Sequence, residues 1–463
     1  MYRTLRALKD DLAGALDIQG NAVKVLDTDR VRTLVDSWVY TSVFSPVDEL
    51  RAAARFLIRA TAQALGIHLA SIHEFYMGRG RGEYGGFTVP AMNLRGLTYH
   101  SARRVFRVAR ELEAGAFIFE IARTEISYTN QPPDEYATTI LAAAIKEGYE
   151  GPVFVQGDHF QVRLKAYQEN PEAEIQALKQ LIREALAAGF YNIDIDASTM
   201  VDLSQEDLKA QQEPNAELTA LFTRFIRETE PPGITTSLGG EIGEIGGRNS
   251  TPEDLRAFMD QYLPKIGDLP GISKISVQTG TVHGGVVLPD GSLAQVKVDF
   301  QVLETLSRIA REEYGLAGAV QHGASTLPEE AFSLFPKVET AEVHLATQFQ
   351  NIIYDSPELP EDFKRTIYDY LFDRFGDQRK PGETDEQFIY KNRKRGFGPF
   401  KWEWWTLSED ILDPIMDRLE QKFRTIFQEL RVGGTQELVR QKTPIVPMEL
   451  KAPQALTGGE HGG

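Results

Sequence analysis

The stretch VFVQGDHFQ, residues 153–161, begins with apolar and β-branched side chains and ends with Gly157, Asp158 and His159 before its last two residues. Such a run predicts a buried β-strand that presents an acid and an imidazole at its C-terminal end. Seven further β-rich runs alternate with amphipathic helical patterns, and they begin near Phe87, Phe117, Tyr191, Ile234, Ser273, Ala317 and Lys337. Eight strand–helix units in succession predict an α/β fold, a closed (β/α)8 TIM barrel rather than an open sheet.

The helical patterns divide the chain into three parts. Residues 1–80 form a predicted N-terminal helical extension, in which residues 47–66 have apolar side chains at helical spacing. The turn-rich GRGRGEYGG (78–86) marks the boundary, and the barrel is predicted over residues 86–432, closing with a C-terminal helical segment. Residues 433–463 are a predicted tail, whose last eight residues, LTGGEHGG, contribute no core and are expected to be disordered.

The composition excludes several classes of protein. The formal net charge is −17, and a chain so acidic repels nucleic-acid phosphates, so no nucleic-acid partner is expected. The chain has no cysteine, which excludes disulfides and thiolate metal ligands. No apolar run is long enough to cross a membrane and the N-terminus has no signal-peptide pattern, so we expect no membrane partner and a cytoplasmic location.

Polar residues gather at the predicted strand ends, where barrels carry their chemistry. In chain order they are Asn93, Asp158 with His159, Asp196 with Ser198, Glu241, His283, His322 and His344. Four of the eight histidines of the chain therefore belong to this set. Imidazoles with a carboxylate can hold a divalent metal and leave a position open for substrate. A single histidine in an apolar run is more often a packing residue, and a single aspartate often caps a helix, but their joint recurrence at strand ends favours a metal site.

The best ligand set is His159, His283 and His322, because glycine lies next to or near each of them, with Glu241 as a fourth or alternate ligand. Since neighbouring strand residues face opposite sides, Asp158 is expected to point away from its neighbour and to serve as a general base. His344 suits packing, support of a ligand or substrate contact equally well. A basic, aromatic segment supplies Lys391, Arg393, Lys394, Arg395 and Lys401, either as a solvated face or as an anion or subunit contact.

Six motifs together resemble the class II, metal-dependent fructose-bisphosphate aldolase family, of which this chain looks like a long, divergent member. They are FTVPAMN (87–93), VFVQGDHF (153–160), IDIDAS (193–198), GGEIGEIGG (239–247), GTVHGG (280–285) and QHGAS (321–325), in the family's order. The resemblance extends over the closing helix to about residue 432 and does not include the first 86 residues.

The resemblance implies a role for each matching residue. His159, His283 and His322 would bind Zn²⁺ or another divalent metal, with Glu241 as a ligand when the metal shifts. Asp158 would be the acid/base on the C4 hydroxyl, and Asp196 would orient a metal-binding histidine. Residues implied to contact the substrate or its phosphate are Asn93, Gly284, Gly323 and Ser325, with His344 at the family's eighth-strand substrate position. The resemblance further implies a sugar-phosphate substrate, allows a monovalent cation, and implies a homodimer or homotetramer.

Departures from the family pattern leave the substrate open. Ala122 stands where the family has Ser, and His344 stands where it has a substrate-contacting Asn. The distal phosphate Arg has no clear match, and Arg248 or the basic segment is a candidate replacement. The leading hypothesis is a zinc-dependent aldolase that cleaves a phosphorylated ketose to dihydroxyacetone phosphate and an aldehyde. Fructose 1,6-bisphosphate is the first candidate substrate. The alternatives are a metal-dependent C4 epimerase that uses retro-aldol and aldol steps, and a non-catalytic scaffold or sugar sensor.

Overall fold

A computed structural model describes residues 1–243, 247–280, 288 and 297–457. Its strands are β1 Leu16–Gln19, β2 Ala22–Val25, β3 Ile67–Leu69, β4 Val89–Asn93, β5 Ile118–Ala122, β6 Gly151–Gln161, β7 Asn192–Asp196, β8 Ser237–Glu241, β9 Lys274–Val277, β10 Ala319–Gln321 and β11 Glu342–Leu345. Strands β4 to β11 match the eight runs read from the sequence.

The eight strands β4 to β11 form a closed parallel barrel. Each strand pairs with the next in chain order, and β11 pairs with β4, with His344 opposite Ala91, which closes the ring. Strands β4, β5 and β7 to β11 are buried along their whole length, as expected for parallel strands covered by helices. The predicted (β/α)8 barrel is therefore confirmed, and its strands bring their C-terminal ends to one face.

Helices surround the barrel and continue into both terminal segments. They are α1 Leu5–Leu12, α2 Thr28–Phe44, α3 Asp48–Ala64, α4 His73–Gly80, α5 Thr98–Glu111, α6 Arg123–Tyr128, α7 Pro133–Glu147, α8 Leu164–Glu169, α9 Pro171–Ala188, α10 Leu208–Thr229, α11 Pro252–Ile266, α12 Phe300–Tyr314, α13 Leu334–Lys337, α14 Thr347–Tyr354, α15 Glu361–Phe375, α16 Asp385–Asn392, α17 Lys401–Trp405, α18 Glu409–Glu429, α19 Gln436–Lys442 and α20 Gln454–Thr457. No helix in the described part of the chain is long and apolar enough to span a membrane.

Local sequence explains where these helices begin and end. Thr251 caps α11 by accepting a hydrogen bond from the backbone of Asp254, whose carboxylate accepts one from Thr251 in return. Gly189 ends α9 with a φ of 93°, a left-handed conformation that glycine adopts without a Cβ clash.

The N-terminal extension contains four helices, as predicted for residues 1–80, and it also contains three short strands. Strands β1 and β2 form an antiparallel hairpin joined at Gly20, whose φ of 61° suits a two-residue turn. Strand β3 pairs in parallel with the start of β6, so the extension joins the sheet. Helices α2 and α3 pack against α7, and their apolar side chains belong to the same core as the barrel. Of the last eight residues, expected to be disordered, Leu456 and Thr457 belong to α20, and Leu456 packs against the core, which corrects the expectation for them. Residues 458–463 lie outside the described residues.

Candidate active site

A cavity of about 240 Å³ opens at the C-terminal ends of the barrel strands. It is lined by Asn93, Arg95, Ala122, Thr124, Glu125, Tyr128, Asp158, His159, His322, Gly323, Ser325, His344, Ala346, Thr347 and Lys394. Seven of the predicted site residues are among them: Asn93, Asp158, His159, His322, Gly323, Ser325 and His344. Predicted residues His283 and Gly284 lie outside the described residues.

Strand β6 directs both Asp158 and His159 into the cavity. Its pairing with β7 shifts register between Gly157 and Phe160, and His159 has a φ of 41°, a left-handed conformation that is uncommon for a residue other than glycine. The irregularity breaks the alternation of side chains, so the expectation that Asp158 points away from His159 was wrong. Oδ1 of Asp158 lies 3.8 Å from Nε2 of His159.

Three groups of donor atoms among the described residues could hold a metal ion, and two of them share His322. One comprises His159, Glu241 and His322, whose candidate ligand atoms all lie within 4.8 Å of one another. The other joins His322 to Asp158 and His344 within the same limit. All except His159 are buried, and His159 is only partly exposed. Nitrogen and carboxylate oxygen are ligands that suit Zn²⁺ and other divalent transition metals.

Asp196 lies behind the metal-binding candidates. Its Oδ2 is 3.0 Å from Nδ1 of His159 and accepts a hydrogen bond from Gln161 at 2.6 Å. Its Oδ1 accepts hydrogen bonds from the backbone and hydroxyl of Ser198. A carboxylate held from both sides can fix the orientation of an imidazole ring and the nitrogen that it presents to a metal.

Asp158 lies among cationic and amide groups. Asn93 donates a hydrogen bond of 2.9 Å to its Oδ2, and Nδ1 of His344 lies 3.2 Å from its Oδ1. Burial opposes ionisation, but the charges of His159, His344 and His322 outweigh it and hold the pKa of Asp158 well below its usual value. An ionised carboxylate that faces the cavity is ready to accept a proton.

The sequence profile of the class-II fructose-bisphosphate aldolase family matches residues 81–391, about two thirds of the chain. The chain belongs to this family. Among curated protein sequences, none matches the chain.

Solved structures with a similar fold include members of this family. A fructose-bisphosphate aldolase from Campylobacter jejuni is 16% identical, with a TM-score of 0.45, over 77% of this chain and 93% of its own. The YdjI aldolase from Escherichia coli K12 is 15% identical, with a TM-score of 0.42, over 79% and 99%. The fructuronate-tagaturonate epimerase UxaE from Cohnella laeviribosi is 12% identical, with a TM-score of 0.49, over 84% and 86%. At such low identity, none of these structures identifies the substrate of this chain.

Two positions at which the chain departs from the family pattern, Ala122 and His344, lie among polar contacts. Beside Ala122, Glu125 accepts hydrogen bonds from the Ala122 backbone at 2.9 Å and from Asn93 at 2.8 Å. At the eighth strand, the ring of His344 lies with Nδ1 3.1 Å from Glu120 and Nε2 2.7 Å from Glu342. Ser325 accepts a hydrogen bond from the backbone of Ala346 at 2.8 Å, and it keeps its side chain at the cavity wall.

A layer of buried charges lies beneath the cavity, and the sequence analysis missed it. Lys274 Nζ donates to Glu342 at 2.5 Å and lies 3.0 Å from Asp194, while Tyr76 donates to the other oxygen of Glu342. Gln156 donates to Glu120 at 2.9 Å and to Glu342 at 2.8 Å. Burial, although opposed by the charge of His344, raises the pKa of Glu120 to about 8. The side chains of the cavity therefore pack on a layer of buried charged residues rather than on apolar side chains.

Three of the five missed residues follow a simple rule. Gln156, Asp194 and Glu342 each lie two positions before a strand-end residue already picked from the sequence, namely Asp158, Asp196 and His344, whereas Glu120 and Lys274 precede Ala122 and Ser276, which were not picked. Residues two apart on a strand face the same side, so a polar residue at a strand end predicts the direction of the polar residue before it.

Proposed function

We propose that the chain is a zinc-dependent aldolase that cleaves a phosphorylated ketose between C3 and C4, with fructose 1,6-bisphosphate the first candidate. The products are dihydroxyacetone phosphate and an aldehyde. The observation that carries the proposal is the grouping of His159, Glu241 and His322 beside the ionised Asp158.

The donor set fits a divalent metal. The candidate ligand atoms of His159, Glu241 and His322 lie within 4.8 Å of one another, and the buried Oδ1 of Asp158 lies 3.8 Å from Nε2 of His159. A cation among these three side chains would offset the negative charge of that oxygen. His159, Glu241 and His322 would hold it, with His283 as the expected third imidazole. When bound, the metal supplies the positive charge that stabilises the enediolate produced by cleavage.

Asp158 takes the proton in the bond-breaking step. Its carboxylate removes the proton from the C4 hydroxyl, the C4–O bond becomes a carbonyl, and the C3–C4 bond breaks with its electron pair on C3. The same carboxylate returns the proton when the reaction runs toward synthesis. The amide of Asn93, held between Glu125 and Asp158, fixes the direction of the accepting oxygen.

Other residues of the cavity would hold the substrate. Gly323 has a φ of 70°, which keeps the chain close to the cavity without a side chain, and Ser325 lines the same wall. We assign one phosphate to Gly323, Ser325 and Gly284, as the family pattern implies. The family pattern also implies a homodimer or homotetramer, which light scattering of the purified protein tests.

The test is aldol cleavage by protein of known metal content. Treatment with EDTA followed by desalting should remove the metal and abolish triose release, and Zn²⁺ should restore it. His322→Ala should lose bound metal, whereas Arg256→Ala, a variant at an exposed ion pair outside the cavity lining, should retain it. Cleavage that persists in protein shown to be metal-free would contradict the proposal.

A second candidate is a metal-dependent C4 epimerase, and the position of His344 beside Asp158 favours it. Cleavage, rotation of the aldehyde and re-addition would use the same base and metal. Interconversion of two ketose C4 epimers without free aldehyde would support the epimerase, and steady release of aldehyde would support the aldolase.

A further inference from the structure

Helix α4 lies against the N-terminal ends of the barrel strands, opposite the cavity, and is tied to them at both of its ends. Before its first turn, the backbone N–H of Ile72 donates a hydrogen bond of 2.9 Å to the side chain of Asn192, the first residue of β7. In its last turn, Arg79 donates to the backbone carbonyls of Phe87 at 2.6 Å and Thr340 at 3.1 Å, which precede β4 and β11. The helix is therefore fixed against the starts of three barrel strands.

Tyr76 lies on the face of α4 that points into the barrel. Its side chain is completely buried, and its hydroxyl donates a hydrogen bond to Oε2 of Glu342. Burial, reinforced by the charge of Glu342, raises the pKa of Tyr76 well above its usual value, so the hydroxyl keeps its proton and acts as a donor. Residue 76 precedes the residues that match the family profile, 81–391. The N-terminal segment therefore supplies a side chain to the interior of the barrel.

The two oxygens of Glu342 have different partners. Oε2 accepts from Tyr76, whereas Oε1 accepts from Lys274 at 2.5 Å and from Gln156 at 2.8 Å. Nε2 of His344 lies 2.7 Å from the same Oε1. A carboxylate held through both oxygens cannot turn about its last side-chain bond without losing one of these contacts. Tyr76 therefore helps to fix the oxygen that faces His344.

The ring of His344 extends from Glu342 to the proposed base. Its Nδ1 lies 3.2 Å from Oδ1 of Asp158 and 3.1 Å from Oε1 of Glu120. One imidazole nitrogen therefore faces Glu342 and the other faces the base. Because the imidazole is rigid, a turn of Nε2 away from Glu342 also moves Nδ1 relative to Asp158.

The third group of candidate metal donors already contains a cation. It consists of Glu120, Asp194, Glu342 and His344. Nζ of Lys274 lies 3.0 Å from Asp194 and 2.5 Å from Glu342, so its ammonium supplies the positive charge among these side chains. The group therefore supports the cavity from below rather than holding a second metal ion.

We propose that Tyr76 is a positioning residue for the reaction at Asp158 and that it acts through Glu342 and His344. The inference rests on the proposed function, since it takes Asp158 to be the base. Tyr76 is not among the residues that line the cavity, and three contacts separate its hydroxyl from the base. It therefore affects the step in which Asp158 moves a proton, and not the binding of the substrate.

Steady-state kinetics of Tyr76→Phe test this role, because the substitution removes the hydroxyl and keeps the ring. Loss of one hydrogen bond should lower kcat for cleavage of fructose 1,6-bisphosphate about 3- to 10-fold and change KM by less than about twofold. The control is Tyr99→Phe, since Tyr99 is also buried and donates to Asp36 of α2 at 2.6 Å, and this variant should keep the wild-type kcat. An unchanged kcat in Tyr76→Phe, or an equal fall in both variants, would overturn the proposal.

A double-mutant cycle shows whether the effect passes through His344. In His344→Asn the shorter side chain no longer connects Glu342 to Asp158. Adding Tyr76→Phe to this variant should therefore lower kcat by less than about twofold. A second loss as large as that in the wild-type background would show that the two residues act independently, which would overturn the proposal.

Nitrogen NMR separates this inference from the proposed function. In zinc-loaded protein labelled with ¹⁵N at its eight histidines, the signals of His344 are those that disappear in His344→Asn. The ring shifts report which nitrogen carries the proton and how it is hydrogen-bonded, so Tyr76→Phe should move the His344 signals and Tyr99→Phe should not.

The spectra and the kinetics together distinguish the two failures. Moved His344 signals in a protein that turns over no ketose would support the link from Tyr76 to His344 and reject the aldolase. Cleavage of the ketose with unmoved signals and an unchanged kcat would support the aldolase and reject the role of Tyr76.

Discussion

Nδ1 of His344 lies 3.2 Å from Oδ1 of Asp158, so the ring that replaces the family's asparagine adjoins the proposed base. The same ring reaches Glu120 and Glu342 in the ionic layer below the cavity. His344 therefore contacts both the proposed base and the layer of buried charges below the cavity. An asparagine side chain is shorter and uncharged, so it cannot make the same contacts.

Replacing His344 by the family residue should slow the enzyme without emptying the metal site. His344→Asn removes a partner from Asp158 and from Glu120, so we expect kcat to fall about 10- to 100-fold. Bound zinc, measured by atomic emission, should stay near the wild-type content because His159, Glu241 and His322 are unchanged. An unaltered kcat would show that the contact with Asp158 has no role in turnover.

Replacing Asp158 should remove proton transfer and leave substrate binding largely intact. Asp158→Asn keeps the shape and a carbonyl oxygen for Asn93 but cannot accept the C4 proton, so kcat should fall about 10²- to 10⁴-fold. Metal content and the circular dichroism spectrum serve as controls for the fold. Near-normal turnover in this variant would require another base.

The ionic layer should matter for stability as well as for chemistry. Lys274→Met leaves Glu342 and Asp194 buried without their cation, which should lower the free energy of unfolding by about 3–5 kcal/mol in urea titrations. The control is Lys265→Met, since Lys265 pairs with Glu217 at the surface and should contribute less than about 1 kcal/mol. Similar losses of unfolding free energy for both variants would mean that the buried ion pair contributes no more to stability than the surface pair.

Much of this architecture could be predicted from the sequence, because the signals for the strands and their polar ends lie in short stretches of the chain. Eight β-rich runs at regular spacing fix the number of strands, and a parallel barrel brings their C-terminal ends together. Asp158, His159, Asp196, Glu241 and His322 could therefore be placed near one another before any coordinates existed. Ser325 and His344 are likewise at the cavity wall.

The remainder depends on contacts between distant segments. The irregularity at Gly157 and Phe160, which turns His159 toward Asp158, has no distinctive signature in a short apolar run. Lys274 looks like a strand residue that could face either way, and only its partners 80 and 68 residues distant show that it faces inward. Lys394 is one of several basic residues in its segment, and only the fold shows that it lines the cavity.

Any contact of the cavity-lining Lys394 with a substrate phosphate should depend on pH. Burial, with the charges of Arg95 and Arg395, lowers its pKa to about 8, and the opposing charge of Glu125 does not reverse this. The ammonium is present below that pH and is lost as the pH rises through it. The wild-type KM for fructose 1,6-bisphosphate should therefore rise above about pH 8, while fructose 1-phosphate, which lacks the second phosphate, should show no such rise.

Lys394→Arg provides the control for this profile, because an arginine keeps its charge across the range. Its KM should remain flat between pH 7 and about pH 9.5. A rise of equal size in the arginine variant would assign the pH dependence to another group.

The most direct measurement is triose release from fructose 1,6-bisphosphate and tagatose 1,6-bisphosphate by the same preparation with zinc bound, removed and restored, beside Asp158→Asn with zinc bound. Metal-dependent cleavage through Asp158 requires release by the zinc-loaded and restored wild type, and almost none by the metal-free protein or the variant. Equal release by protein verified to be free of metal, or by the zinc-loaded variant, would contradict it.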